Sequence, residues 1–97
     1  MEEKIELRFL TRNEINSILE SCQTFEGKLE HRSALSACIV KDFDFSGIDL
    51  SSIFAINSTF YRCKFVECDL YSTIFTKSKF IEVNFTGANL GKTEFLF

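Results

Sequence analysis

Proline is absent from these 97 residues, histidine occurs once, and no two cysteines stand at CxxC spacing. Each absence removes a class of structure or chemistry. Without proline, nothing in the chain forces a regular backbone to break. The single His31 stands among charges in TFEGKLEHR and reads as a solvated side chain rather than a catalytic one. Cys63 and Cys68 lack two further ligands at a spacing that would close a zinc site, and no cluster elsewhere supplies them. There is no nucleophile–base pair and no glycine-rich phosphate loop. No apolar run is long enough to cross a bilayer, and no basic segment followed by an apolar one opens the chain. The formal net charge of −3 gives no basic excess to attract nucleic acid. The expectation is a protein that is not an enzyme. It should need no cofactor and no metal, with no nucleic acid or membrane as partner. Its four cysteines should be reduced thiols in a cytoplasmic setting. Export by a signal-independent bacterial route leaves no mark in such a sequence.

What the chain does contain is a rhythm. A large apolar residue returns every fifth position: Leu35, Val40, Phe45, Leu50, then Phe60, Phe65, Leu70, Phe75, Phe80, Phe85, Leu90 and Phe95, with the smaller Ala55 in step. Two residues before each member from Val40 on lies a second series: Cys38, Phe43, Ile48, Ile53, Ser58, Cys63, Cys68, Thr73, Ser78, Val83, Ala88 and Thr93. Most of these are small or β-branched and none is charged. Cys38, Cys63 and Cys68 therefore read as small inward hydrophobes.

A period of five fits neither ordinary template. On a helix, five residues advance about 500°, so successive members form no stripe. On an unbroken strand, an odd step flips the side chain to the other face. The backbone must turn once per repeat, holding positions i−2 and i inward and using i+1 and i+2 as a corner. A longer period supports this. SGIDL, VECDL and TGANL align at steps of twenty and carry Leu50, Leu70 and Leu90. Phe45, Phe65 and Phe85 form a second such set, Phe60 and Phe80 a third, and Phe75 belongs to the remaining side. Four five-residue sides per coil stack each set into a column, with coils about 4.8 Å apart.

The pattern resembles the pentapeptide-repeat family, whose loose motif is A(D/N)LXX with Leu or Phe at the centre. Ala88-Asn89-Leu90 matches it in full, and Cys68-Asp69-Leu70 and Ile48-Asp49-Leu50 at two places of three. The resemblance spans about residues 33 to 95. It implies an all-β solenoid, a right-handed quadrilateral β-helix, and the repeat count makes it about three coils. It implies no single function and brings no catalytic motif.

Residues 1–32 read as an N-terminal cap and linker, and 33–97 as the β-helix. MEEKIELRFL alternates Ile5, Leu7 and Phe9 with charges, a strand pattern able to pair with the edge of the first coil. Thr11 and Glu14 form a capping box ahead of Ile15, Ile18, Leu19 and Cys22 at helical spacing, which predicts a helix over about 12–23. Its expected role is to cover the open end of the solenoid. Residues 24–32, with Gly27 among charges, read as a loop.

Three features lie outside the rhythm. Phe54 and Ile74 fall at outward positions with Ile56 beside them, and exposed apolar surface marks a candidate partner contact unless the helix folds over it. The stack stops at Phe95, Leu96 and Phe97 without a polar closing element. Either the solenoid is part of a longer one, or this end forms a homodimer by stacking on a second copy. The column Asp42, Arg62, Glu82 alternates in sign. A non-catalytic protein-interaction or scaffolding module, its protein partner unknown, accounts best for all three. The resemblance also implies an alternative, since some members imitate DNA and protect a type II topoisomerase, DNA gyrase. From residue 41 on, however, seven acidic residues meet six basic ones, far from the charge density of a duplex.

Overall fold

A computed structural model describes residues 6–97, so Ile5 of the predicted N-terminal strand lies outside the described residues. Between Ala37 and Lys92 every fifth residue has a positive φ: Ala37, Asp42, Gly47, Ser52, Asn57, Arg62, Glu67, Ser72, Lys77, Glu82, Gly87 and Lys92. Each stands two residues after a member of the apolar series. These are the corners the period of five demands. After Phe45, Phe65, Leu70, Phe75, Phe85 and Leu90, the N–H of residue i+3 donates to the carbonyl of residue i. With φ positive at the third position, this is the hydrogen-bonded geometry of a type II turn. Left-handed backbone costs an L-residue about 1–2 kcal/mol, and it persists because the neighbouring structure holds it.

That neighbouring structure is a ladder with a twenty-residue register. The Phe45 N–H donates to the Lys64 carbonyl, and the Lys64 N–H returns to Phe43. The same two-way exchange joins Leu50 and Ile48 with Asp69, and Ala55 and Ile53 with Ile74. Regular strand is confined to one side. Here β1 (Arg8–Phe9), β2 (Cys38–Lys41), β3 (Thr59–Tyr61) and β4 (Lys79–Ile81) form a parallel sheet in the order β1-β2-β3-β4. Val40 faces Phe60 and Phe60 faces Phe80. On the other sides, layers touch through single parallel bridges such as Asp44 with Lys64, Asp49 with Asp69 and Phe54 with Ile74. The result is a β-helix-like solenoid.

The interior is a set of ring columns. Phe45, Phe60, Phe65 and Phe75 are almost completely buried. Between layers the rings stack nearly parallel: Phe45 on Phe65 at 4.8 Å, Phe65 on Phe85 at 5.2 Å, Phe60 on Phe80 at 5.5 Å and Phe75 on Phe95 at 5.4 Å. Within a layer they meet edge to face, as Phe60 does with Phe65 at 5.6 Å and with Phe75 at 5.9 Å. Both arrangements suit the ring quadrupole. Polar members of the i−2 series are satisfied internally. The Ser58 hydroxyl donates to the Leu35 carbonyl and accepts from the Cys38 N–H, while Ser78 does the same with Ala55 and Ser58. Buried hydroxyls survive there because each has partners.

The N-terminal segment closes the first layer. Thr11 and Glu14 form the capping box of α1 (Arg12–Ser21), the Thr11 hydroxyl accepting from the Glu14 N–H and the Glu14 carboxylate from the Thr11 N–H. Ile15, Leu19 and Cys22 are buried in the same core as Phe45 and Leu50. β1 pairs with β2, placing Arg8 opposite Cys38 and Phe9 opposite Ile39. In that register Leu10 is buried while Leu7 and Phe9 face out, because Phe9 follows the outward Ile39.

Two expectations need correction. The predicted loop over 24–32 contains a second helix, α2 (Phe25–Glu30), capped by the Thr24 hydroxyl accepting from the Gly27 N–H. The Leu column is also not uniformly core. Leu50 and Leu70 are buried but Leu90 is 40% exposed, and Phe80, Phe85 and Phe95 are only partly covered. These residues lie in the last layer, whose upper face meets no further part of the chain.

Candidate interaction surfaces

The outer faces carry whatever function the filled interior does not. Phe54 and Ile74, read as outward, are brought together by a parallel bridge, and both are half-buried, as is Ile56. Their cover is not α1. The Phe54 N–H donates to the Arg32 carbonyl, and the Arg32 guanidinium lies 5.2 Å from the centre of the Phe54 ring. A cation over a ring face is attracted by its negative quadrupole. Arg32 Nε is buried there without a hydrogen-bond partner. Ser36 ties the same edge down, its hydroxyl donating to the Phe54 carbonyl and accepting from the Ile56 N–H.

On the next face upstream, α2 is clamped to the solenoid. Lys28 Nζ donates to Asp49 Oδ1 at 2.9 Å and to the Ser51 hydroxyl at 2.8 Å, and its side chain is 16% exposed. Burial alone would push the Asp49 carboxyl up, but hydrogen bonds from Ser51 and Lys28 outweigh it and hold the group below the usual carboxylate range. Asp69 and Asn89 continue this column as corner formers, accepting from the Tyr71 and Gly91 N–H groups.

The thiols are placed as small hydrophobes. Cys22, Cys38, Cys63 and Cys68 are free and buried. Burial pushes the Cys68 thiol up to about 12, with Asp69 and Asp49 adding to it, and burial raises the other three as well. A thiolate nucleophile needs the opposite environment.

The outward side of the sheet was not singled out from the residues. β1, β2 and β3 form an open groove of about 520 Å³ lined by Phe9, Ile39, Lys41, Thr59, Tyr61 and Arg62. Lys41 lies 5.1 Å from the Phe9 ring centre and Arg62 4.7 Å from that of Tyr61. Arg62 also pairs with Glu82 at 3.4 Å, joining two of the three charges in the alternating column. The visible signal was the outward run of Ile39, Tyr61 and Ile81, which gains its depth only once β1 adds Phe9. At the far end Phe95 stacks on Phe75, while Leu96 and Phe97 are exposed.

Among the described residues, no helix is long and apolar enough to cross a membrane. No curated protein and no solved structure matches the chain. A protein-family model for pentapeptide repeats matches residues 56–91 in eight copies. That span holds the Phe60/Phe80 and Leu70/Leu90 column pairs and the corners from Asn57 to Gly87. Over residues 56–91, the repeats of this chain match those of the pentapeptide-repeat family.

Proposed function

We propose that this protein is a non-catalytic protein-interaction module, with the Phe54, Ile56 and Ile74 face as its partner contact. The observation that carries the reading is Arg32. Its guanidinium covers Phe54, yet its Nε is buried with no acceptor. A buried donor left unpaired is costly, and the terminal nitrogens of the same guanidinium, which are not among the buried unpaired atoms, can take a carboxylate or carbonyl brought by a partner. The face then offers a ring, two aliphatic side chains and a cation with unused donor capacity. The coil presenting it is, in our reading, a right-handed quadrilateral β-helix of about three turns, supported by the twenty-residue register and the recurring corners. Free buried thiols accord with a cytoplasmic setting. Leu96 and Phe97, both exposed beside Phe95, are the candidate end for stacking on a second copy. Imitation of duplex DNA gains little from the column Asp42, Arg62, Glu82, where Arg62 neutralises Glu82.

The test is Phe54→Asp, read by thermal unfolding and by affinity capture from the source cell against the unaltered protein. The reading expects a melting temperature within a few degrees of the parent and loss of the captured partner. Retention of that partner, or an unfolded variant, counts against it, the latter showing Phe54 to be core.

A further inference from the structure

We propose that α2 of one copy docks into the groove over β1–β3 of another, giving a weak, head-to-tail self-association. Phe25 and Leu29 stand four residues apart, so they share one face of α2, and they are 75% and 51% exposed. The only cation of α2, Lys28, is turned inward to Asp49 and Ser51. What α2 shows to solvent is therefore two large apolar side chains flanked by Glu26 and Glu30. The groove has the complementary character. Phe9, Ile39 and Tyr61 floor it, and Lys41 and Arg62 rim it. Beyond it, Lys77 and Lys79 line the adjoining depression with Leu7 and Thr59. Four of the chain's eleven cationic side chains, Lys41, Arg62, Lys77 and Lys79, thus sit along one sheet face of a protein whose net charge is −3, with Arg62 partly offset by its pairing to Glu82.

Acidic–apolar helix and basic–apolar groove are matched within one sequence, which favours a second copy over a foreign acidic segment. They cannot meet within one molecule. Lys28 ties α2 to Asp49 and Ser51, ten residues beyond Ile39 and thus two sides away from the sheet. Two different patches on different sides make a heterologous contact, which propagates rather than closing as a two-fold dimer. One short helix buries little area, so the contact is weak and its charges make it salt-sensitive. This surface shares no residue with the Phe54 face, so Phe54→Asp leaves it intact and the two proposals fail independently.

Sedimentation equilibrium from about 10 µM to about 1 mM tests it. The weight-average mass of the unaltered protein should climb beyond a dimer at about 50 mM salt and fall back toward monomer at about 500 mM. Phe25→Asp should hold the protein monomeric. So should Glu26→Lys with Glu30→Lys, and separately Lys41→Glu with Lys79→Glu, all exposed positions, with melting confirming each fold. The decisive arm mixes the two charge-reversed proteins in equal amounts. Each then carries the helix that fits the other's groove, and association should return. A constant monomer mass for the unaltered protein overturns the proposal, as does a rise that ignores these variants, which points to the Phe97 end instead. A monomer whose groove amide resonances shift with a synthetic Glu- and Phe-containing hexapeptide also overturns it, assigning the groove to a foreign acidic partner.

Discussion

Phe65→Ala should cost about 3–5 kcal/mol of unfolding free energy, the range for emptying a buried aromatic site. Phe65 has no solvent exposure, lies 4.8 Å below one ring and 5.2 Å from the next in its column, and meets Phe60 and Phe75 edge to face. Removing it opens a void touching three layers at once. In a solenoid each layer is stable largely through its interfaces with its neighbours. Domains of this size are stable by only about 5–15 kcal/mol, so the variant should unfold at much lower urea. Phe85→Ala, in the half-covered last layer, should cost less, and Phe97→Ala, with the ring 86% exposed, least of all. Equilibrium urea unfolding of the three measures that gradient. Equal costs at 65 and 97 would contradict a packed column.

Gly27→Ala reverses the usual sign of a glycine-to-alanine change in a helix. Alanine normally gains about 1 kcal/mol over glycine there. Here a Cβ on residue 27 would lie 1.7 Å from the Ser21 carbonyl oxygen and 2.8 Å from its carbon. Both are backbone atoms, so no rotamer change relieves the clash, and α2 must move off the end of α1. The overpacking costs about 1–3 kcal/mol, and it takes with it the Lys28 bonds to Asp49 and Ser51. Thermal unfolding together with hydrogen exchange at the α2 amides should show a lower melting temperature and lost protection over Phe25–Glu30. A stabilised variant would contradict the α1–α2 junction described above.

The same glycine explains what the residues did not disclose. Gly27 among charges reads as a loop, and only the close approach to Ser21 shows why glycine is required inside a helix. The corners were legible as positions but not as conformations. Ten of the twelve left-handed residues are not glycine, and their φ is imposed by bonds to the layer twenty residues away rather than by local preference. The Phe and Leu columns were legible because a five-residue period has few solutions. How far each column stays buried was not, since Leu90 depends on what lies above it and not on its own repeat. For the surfaces, Phe54 and Ile74 could be placed on one outward column from spacing alone. Their cover could not, because Arg32 reaches Phe54 across more than twenty residues of chain. The facing of Phe9 was open for a similar reason. Its alternation marked a strand able to pair with the first coil without saying which side would face out, and the register with β2 puts it opposite Ile39 and turns it outward.

The central claim is that every fifth side chain faces inward and that layers repeat every twenty residues. Ring-to-ring nuclear Overhauser effects in a protein labelled at phenylalanine test it most directly. The account predicts cross-peaks linking Phe45 to Phe65, Phe65 to Phe85, Phe60 to Phe80 and Phe75 to Phe95, at centroid separations between 4.8 and 5.5 Å. Cross-peaks linking phenylalanines at any other regular interval, with none at twenty, would contradict it.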